Sequence, residues 1–345
     1  MARLIPIDGS LGEGGGQVLR TALALAAATG QGFEMSRIRA GRTRPGLRPQ
    51  HLAALRGAAM ACGARIGGAF EGSPDVRFEP GPVVPGEYRF EIATAGAVTL
   101  VLQAVLPPLA LAGAPSSVEV TGGTHVPLSP SLDYLSRHWA AAVSGVGLEL
   151  QATLVRAGFY PAGGGEVHAR VAAWNEPREL RLEARGPLVA VRGTSGAGRL
   201  KGDVARRQRD AAQARLWEER RLEASWDVLD VPAASPGSFL LLEAVFEGSR
   251  AAFSFLGERG LRAELLGDRA ARRLLRFLGQ DAAVDPQLAD QLAVPMALAR
   301  RGGRVTTPEV TGHLETVVRV LSLFGVPART WGRSGGPGGL EVDRC

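Results

Sequence analysis

His313 is the residue of this chain best suited to nucleophilic chemistry. It follows Thr311 and Gly312 and begins a helical pattern, so its imidazole is expected at the amino end of a helix. The positive end of the helix dipole disfavours the imidazolium form and keeps a nitrogen lone pair available, as a nucleophile requires. The sequence therefore makes His313 a candidate for covalent catalysis.

Lysine offers no comparable candidate, because Lys201 is the only lysine among the 345 residues. Nucleotidyl transfer through lysine uses the motif K-x-D-G, and residues 201–204, KGDV, do not match it. The other basic residues are all arginines, and the formal net charge is +6. This charge is compatible with a polyanionic partner without requiring one. A covalent nucleotide adduct is therefore expected on histidine rather than on lysine.

Two segments near the amino terminus have residues that suit phosphate. Residues 8–17, DGSLGEGGGQ, form a glycine-rich turn leading into a helix, where backbone N–H groups and the helix dipole favour an anion. Within it Glu13 could hold a divalent metal against phosphate oxygens, and a tight turn with an exposed Glu13 is the alternative. Residues 39–51 place four arginines and His51 on one loop. The arginine fork fits phosphate oxygens, although an exposed surface loop would explain the same residues.

A repeated helical pattern must position these residues. Gln17, Gln103 and Gln291 are each followed five or six residues later by an apolar run such as LALA, and then by a second amphipathic helical pattern. The pattern predicts three units, each with two helices and several strands, in an α/β architecture. The apolar run 97–112 is interrupted by Gln103 and two prolines, so it predicts a buried helix rather than a membrane span.

Residues 185–280 differ in character, with two charged helical patterns around a strand pattern. We interpret them as a small domain inserted between the second and third units, so that the large domain comprises residues 1–184 and 281–345. The two cysteines, Cys62 and Cys345, cannot form a disulfide framework, and no Cys/His cluster has zinc spacing. No signal peptide is apparent, and a cytoplasmic protein without membrane attachment is expected.

Taken in order along the chain, these motifs resemble those of the RNA 3′-terminal phosphate cyclases. The matching segments span nearly the whole chain and include residues 8–20, RAGR at 39–42, GGT at 122–124, GGGEV at 163–167, LADQL at 288–292 and TGH at 311–313. The resemblance implies a large α/β domain of three βαβαββ-type repeats, similar to the C-terminal domain of a bacterial translation initiation factor. It also implies a small α/β domain inserted before the third repeat.

The same resemblance implies a reaction in three steps. The enzyme histidine attacks the α-phosphorus of ATP and expels pyrophosphate, and AMP then passes to an RNA 3′-phosphate. The vicinal 2′-OH finally attacks the activated phosphorus, which releases AMP and leaves a 2′,3′-cyclic phosphate. Adenylation supplies the leaving group, and the neighbouring 2′-OH makes the closure intramolecular. The implied cofactors are ATP and Mg²⁺ or Mn²⁺, and the implied partner is RNA with a 3′-phosphate end.

The roles of individual residues also follow from the resemblance. His313 would be the adenylated nucleophile, and Glu13 would be the metal ligand. The adenylate would be bound by Gln103, Pro130, Phe255, Asp290, Gln291 and His313. Phosphates of ATP or of the RNA end would be bound by Arg20, Arg39, Arg42 and His51. Many relatives carry an aromatic residue or histidine where this sequence has Gln287, so looser selectivity for adenine is expected.

Two other functions are kept as alternatives. The family includes eukaryotic members that have lost adenylation and act in ribosome assembly, so a non-catalytic RNA-binding protein is the first, although His313 in its motif argues against it. Enolpyruvyl transferases are built from related repeats, but they have six repeats and need lysine, and this chain has one lysine. Action on 5′-phosphate ends and the oligomeric state are left open.

Overall fold

The computed structural model describes residues 3–12, 15–92 and 94–344. Over these ranges the strands form four sheets of four strands, and each sheet combines one parallel pair with two antiparallel pairs. Helices pack against the sheets, so the fold belongs to the α/β class that the sequence predicts. No helix in this described part of the chain is long and apolar enough to cross a membrane.

The first unit combines two helices with a sheet in the strand order β1-β2-β4-β3. Its elements are β1 (Ile5–Asp8), α1 (Gly16–Thr29), β2 (Phe33–Ser36), α2 (Pro49–Cys62), β3 (Arg65–Gly67) and β4 (Val76–Glu79). Helix α2 ends where Gly63 adopts a left-handed backbone conformation. Glycine tolerates that conformation without steric cost, which is why a glycine predicts the end of this helix.

The second unit has the equivalent strand order, β5-β6-β8-β7. Its elements are β5 (Glu87–Glu91), α3 (Val98–Ala110), β6 (Ser116–Gly122), α4 (Ala140–Ser144), β7 (Leu150–Arg156) and β8 (Gly165–Val171). The amphipathic pattern before β7 predicts one continuous helix, but a π-helical segment, Tyr134–Trp139, precedes the short α4. Both Tyr134 and His138 in the π-helical segment bind Asp285, so tertiary contacts account for the altered helix.

The chain begins the third unit with β9 (Leu180–Leu182) and then enters the segment interpreted as an inserted domain. This segment has its own sheet, in the order β11-β10-β12-β13, and two helices that pack against each other. Its elements are β10 (Leu188–Gly198), α5 (Val204–Arg220), β11 (Ala224–Asp230), β12 (Gly237–Phe246), β13 (Arg250–Leu256) and α6 (Ala263–Leu278). Leu240, Leu242 and Leu274 belong to a hydrophobic core within this segment. Its limits at 185 and 280 stay a prediction.

The chain then completes the third unit, whose strand order is β15-β16-β14-β9. The remaining elements are α7 (Pro286–Ala299), β14 (Arg301–Thr307), α8 (Gly312–Leu323), β15 (Ala328–Gly332) and β16 (Gly338–Arg344). In each of the three units the first strand pairs parallel with the second, and the last two strands form an antiparallel hairpin. The inserted segment thus separates β9 from the rest of its unit.

The three helices that carry the aligned glutamines meet in the core. Helix α1 packs against both α3 and α7, and Leu23, Leu102 and Leu292 from these helices have no exposed surface. Full burial of one such side chain contributes about 1.5–3 kcal/mol to folding. The packing of α1 against α8 adds a fourth helix to this group. Near their amino ends, Gln17 of α1 contacts Asp290 of α7 and His313 of α8, and Gln103 of α3 contacts Gln291 of α7.

Candidate active site

His313 lies in the first turn of α8, where its ring meets α1. Thr311 caps this helix, because its hydroxyl oxygen accepts a hydrogen bond from the Leu314 N–H at 3.1 Å. Nδ1 of His313 lies 2.6 Å from Oε1 of Gln17, the second residue of α1. Since an amide oxygen only accepts, the shared proton belongs to Nδ1 and the lone pair of the neutral ring belongs to Nε2. The contact therefore favours Nε2 as the ring nitrogen that could attack an electrophile.

Asp290 faces the other side of the Gln17 amide. Its Oδ2 lies 3.4 Å from Nε2 of Gln17, so the NH₂ group is turned to the carboxyl and the amide oxygen to His313. Burial among protein atoms and the nearby charge of Asp285 raise the pKa of Asp290 to about 7, against the opposing effects of Gln17 and Arg20. At neutral pH the Asp290 carboxyl therefore exchanges between its two protonation states next to the group that orients His313.

Gln103 and Gln291 form a second polar contact nearby. Nε2 of Gln103 donates to Oε1 of Gln291 at 2.6 Å, which joins α3 to α7. One turn before Gln103, the hydroxyl of Thr99 donates to the carbonyl of Pro130 at 2.8 Å. Asp290 directly precedes Gln291 in α7. The structure therefore brings together four of the residues predicted to bind the adenylate.

Phe255, on strand β13, is not brought to the same place. On this strand it is Ser254 that faces the large domain, where its hydroxyl donates to Oγ of Ser131 at 2.8 Å, next to Pro130. Side chains alternate along a strand, and the ring of Phe255 packs against the core of the inserted segment. Its role in adenine binding stays a prediction. Gln287, at the position noted for adenine stacking, is exposed in the first turn of α7.

His51 is a buried hydrogen-bond donor for which the described residues provide no acceptor. Its Nδ1 accepts the backbone N–H of Arg48 at 3.0 Å, so the proton of the neutral ring is on Nε2. Among the described residues this Nε2 has no hydrogen-bond partner, and it faces Gly16 so closely that an added Cβ there would overlap it. Burial and the charges of Arg20, Arg39 and Arg48 lower the pKa of His51 to about 3. A buried donor of this kind costs about 1–3 kcal/mol unless a ligand accepts from it.

Two of the predicted phosphate-binding arginines lie at the same end of α1. An added Cβ at Gly16 would approach Nη1 of Arg20, and one at Gly15 would lie 3.7 Å from Nη2 of Arg42. Gly15 is the N-cap residue of α1 and, having no side chain, leaves the backbone N–H groups of the first turn uncapped by a side chain. We call Gly15, Gly16, Arg20, Arg42 and His51 together the α1 anion site. Every polar group that these residues contribute there is a hydrogen-bond donor.

Arg39 and Arg48 support this site from the loop before α2. Nη1 of Arg39 donates to the carbonyls of Arg44 at 2.7 Å and of Gly46 at 3.2 Å, which ties the loop together. Burial, followed by the charges of Arg48 and Arg42, lowers the pKa of Arg39. Arg48, which the sequence-based assignment omits, acts on both Arg39 and His51 by its charge and pairs with Glu71 at 2.9 Å.

Glu13, the predicted metal ligand, lies outside the described residues. Within the described ranges no group of three or more His, Cys, Asp and Glu side chains is arranged to hold a metal ion. The metal site therefore stays a prediction that depends on Glu13. The sequence-based assignment also omits Gln17. Its alignment with Gln103 and Gln291, each near the start of one of three packed helices, could have indicated its place in the site.

A comparison with known protein families identifies the family of this chain. Residues 11–328 match the family model described as RNA 3′-terminal phosphate cyclase. The chain belongs to the RNA 3′-terminal phosphate cyclase family. The resemblance inferred from the motifs is thereby confirmed.

Curated members of the RNA 3′-terminal phosphate cyclase family are similar to the chain over most of its length. A protein of that name from Ralstonia nicotianae is 45% identical over 328 residues, which cover 94% of this chain and 92% of that protein. Another from Methylococcus capsulatus is 42% identical over 331 residues, with 94% and 91% covered. Among solved structures, the enolpyruvyl transferase NikO from Streptomyces tendae is 14% identical with a TM-score of 0.27, covering 49% of this chain and 33% of that chain. A likeness this small carries no argument.

Proposed function

We propose that this protein uses ATP to convert an RNA 3′-phosphate end to a 2′,3′-cyclic phosphate, through a covalent adenylate on His313. The proposal is carried by the 2.6 Å contact between Nδ1 of His313 and Gln17, which assigns the lone pair of the ring to Nε2. Membership of the cyclase family and relatives of that name at 45% and 42% identity support the overall reaction.

In the first step, Nε2 of His313 attacks the α-phosphorus of ATP. A nitrogen–phosphorus bond forms, the bond to the bridging oxygen of pyrophosphate breaks, and pyrophosphate leaves with that electron pair. Positive charge develops on the ring during the attack and is shared with Nδ1–H, which donates to Gln17. The Asp290 carboxylate holds the NH₂ side of the same amide, and hydrogen bonds in such a chain strengthen one another.

Hydrogen bonds link Asp290 to Gln17 and Gln17 to His313, and we call these three residues the relay. The adenylate is proposed to be bound by the groups beside the relay. Gln103 and Gln291 offer side-chain amides that both donate and accept, which suits a phosphate oxygen and the edge of a sugar or base. Pro130 contributes an apolar surface, and its carbonyl is held in place by the hydrogen bond that the Thr99 hydroxyl donates. A divalent metal on Glu13 would neutralise part of the charge on the phosphates of ATP.

The α1 anion site is proposed to bind the RNA 3′-phosphate. Its donors are two arginines, the Nε2–H of His51 and the uncapped N–H groups of α1. In the second step an oxygen of this phosphate attacks the phosphorus of the adenylate, the bond to His313 breaks, and the ring regains its lone pair. In the third step the vicinal 2′-OH attacks the 3′-phosphorus, loses its proton and expels AMP.

The proposal is tested by incubating the protein with α-labelled ATP and Mg²⁺ or Mn²⁺ and then denaturing it. Wild-type protein should retain an acid-labile, alkali-stable label, and His313→Ala should retain none. His168→Ala is the matched control, because His168 is an exposed histidine on β8, and it should be labelled like wild type. An unlabelled wild-type protein that still binds RNA would instead support the non-catalytic RNA-binding alternative.

RNAs that differ in their 3′ ends then distinguish the second step from the third. A ribonucleotide 3′-phosphate should be cyclised, whereas a 3′-hydroxyl end should leave the label on the protein. A 2′-deoxy end with a 3′-phosphate should accept AMP and stop at the RNA-(3′)pp(5′)A stage, because it lacks the attacking hydroxyl. Cyclisation without prior transfer of label to the RNA would contradict the proposed order.

A further inference from the structure

Asp285, the N-cap residue of α7, has a fully buried side chain bound from three parts of the fold. Its Oδ1 accepts from the Leu288 N–H and from the Tyr134 hydroxyl, both at 2.9 Å. Its Oδ2 lies 2.7 Å from Nε2 of His138 and accepts from the Ala252 N–H at 3.2 Å. Asp285 thus joins α7 to the π-helical segment of the second unit and to strand β13 of the inserted segment.

These contacts match the hydrogen-bonding capacity of a carboxylate, which accepts about four hydrogen bonds and donates none. Within the described part of the chain, each oxygen of Asp285 has two polar contacts. The Leu288 and Ala252 N–H groups and the Tyr134 hydroxyl donate, and the roles in the contact with Nε2 of His138 follow from the tautomer of its ring. The amino end of α7 further stabilises a negative charge at this position. Nδ1 of His138, on the far side of its ring, has no partner among the described residues.

Asp285 is also a neighbour of the relay to His313. Asp290 follows it by five residues on α7, a rise of about 7 Å along the helix. The charge of Asp285 is one cause of the raised pKa of Asp290, after burial, and burial together with the charges of Asp285 and Asp290 raises the pKa of Tyr134. Asp290 in turn contacts Gln17, and Gln17 contacts His313.

We infer that Asp285 is a positioning residue for the nucleophile. It fixes the start of α7 against the second unit and the inserted segment, and its negative charge acts on Asp290 and, through Gln17, on the state of His313. The inference rests on the proposed function for its catalytic meaning, but the linkage from Asp285 to His313 exists without ATP. It also gives the inserted segment a role, because the Ala252 N–H donates to the Asp285 carboxyl.

Polar and charged groups from two helices act on Asp290: helix α1 supplies Gln17 and Arg20, and α7 supplies Asp285. Asp290 in turn helps to raise the pKa of Tyr134 on the π-helical segment, where His138 contacts Asp285. Strand β13 contributes only a backbone N–H to Asp285. Helix α8 contributes His313 through Gln17. Among these groups Asp285 is the one that opposes ionisation of Asp290 by its charge, and Arg20 is the one that favours it.

Two kinds of variant should change the relay in opposite directions. Asp285→Asn and Asp285→Ser both keep a residue that caps a helix and remove the charge. In both variants Asp290 should ionise more readily. The acid limb of His313 labelling, which is the decline in labelling rate at low pH, should therefore move to lower pH by roughly one to two pH units for a charge at this distance. Tyr134→Phe removes one donor and leaves more of the Asp285 charge uncompensated. It should move the acid limb to higher pH, by a smaller amount.

The experiment measures single-turnover label transfer from α-labelled ATP against pH for wild type and each variant. A second readout needs no ATP: ¹⁵N NMR of histidine-labelled protein follows the titration and tautomer of His313, whose signals are identified by their loss in His313→Ala. Opposite displacements in both readouts support the inference. If folded variants leave both readouts at the wild-type pH, or shift them in the same direction, the inference is wrong.

The two readouts also separate this inference from the proposed function. An unlabelled wild-type protein whose His313 titration still moves in opposite directions in the variants would overturn the adenylate and keep the positioning role. A wild-type protein that is labelled, with variants that leave the titration of His313 unmoved, would support the adenylate and overturn the positioning role. If neither uncharged variant folds, Tyr134→Phe decides alone, because displacement of the limb to higher pH is expected only when the retained charge acts on Asp290.

Discussion

Gln17 and His313 are joined by a hydrogen bond of 2.6 Å although 296 residues separate them along the chain. Gln17 is carried by α1 and His313 by α8, and these helices pack directly against each other. The same amide reaches Asp290 on α7. The orientation of the His313 ring is therefore a property of helix packing between the first and third units, and the first prediction concerns this amide.

Gln17→Ala should lower the rate of His313 labelling by roughly 10- to 100-fold, the range typical when a group that orients a histidine ligand is removed. The ring loses the acceptor at Nδ1 that assigns its tautomer. Single-turnover labelling with α-labelled ATP measures the rate. Gln151→Ala is a control at an exposed glutamine on β7 and should label like wild type. Equal rates for both variants would show that the amide does not orient the ring.

Gly16→Ala should weaken the binding of RNA with a 3′-phosphate. The added Cβ would overlap Nε2 of His51 and crowd Arg20, so the α1 anion site would lose at least one charge-assisted donor. Such bonds contribute about 1.5–3 kcal/mol each, which corresponds to a loss in affinity of roughly tenfold or more.

Gly41→Ala is the matched control for this change. Gly41 lies on the same arginine loop, and an added Cβ there would meet no atom of another described residue within 4 Å, its chain neighbours aside. Affinity should be measured with short RNAs that differ only in carrying a 3′-phosphate or a 3′-hydroxyl. Gly16→Ala should lose the preference for the phosphate, and Gly41→Ala should keep it. A preserved preference in Gly16→Ala would place the RNA phosphate elsewhere.

Arg48→Gln and Glu71→Gln break the same ion pair and should differ in RNA binding. The pair, at 2.9 Å, has side chains that are 31% and 52% exposed, so either change should cost less than about 1 kcal/mol of folding stability. Arg48→Gln removes a positive charge beside His51 and should weaken RNA binding, whereas Glu71→Gln releases that charge and should not. Thermal unfolding and RNA titration at two salt concentrations measure both effects. Equal losses of affinity would assign Arg48 a purely structural role.

Asp290 should make the free energy of unfolding fall as pH rises. Its folded pKa of about 7 lies above the unfolded value of about 3.9, so between these values the folded protein holds a proton that the unfolded chain has lost. This stabilisation is complete below about pH 4 and is lost as pH rises through 7, at up to about 1.4 kcal/mol per pH unit.

Asp290→Asn should remove that dependence. Relative to wild type, the variant should be more stable at pH 8 than at pH 5, as measured by urea unfolding at both values. Asp281→Asn, at an exposed aspartate before α7, should show the same difference from wild type at both pH values. A parallel pH response of Asp290→Asn and wild type would mean that Asp290 is not the titrating group.

The sequence predicts the helices well where apolar residues recur over several turns. The run 97–112 becomes α3, Val98–Ala110, and its two prolines lie in the last turn. The amphipathic pattern before β7 predicts one continuous α-helix, and the structure divides this helix into a π-helical segment followed by α4. Local periodicity cannot show this change, since it accompanies bonds from Tyr134 and His138 to Asp285.

The site is only partly predictable for the same reason. The residues around His313 and in the arginine loop make these segments candidates on their own, and the resemblance to the cyclase family adds Asp290 to the predicted site. The part played by Gln17 depends on α1 packing against α8, and that of Arg48 depends on how the loop folds back toward His51. Such contacts between distant segments appear only once the helices are assembled.

The long separation between Gln17 and His313 also affects the protein while it is being made. At about 5–20 residues per second, the ribosome would take about 15–60 s to add the 296 residues between them. Throughout that interval the first unit has left or is leaving the ribosome without His313. If the proposed adenylation is correct, a nascent or prematurely terminated chain cannot consume ATP by labelling itself, because the contact between Gln17 and His313 forms only when the last unit docks onto the first.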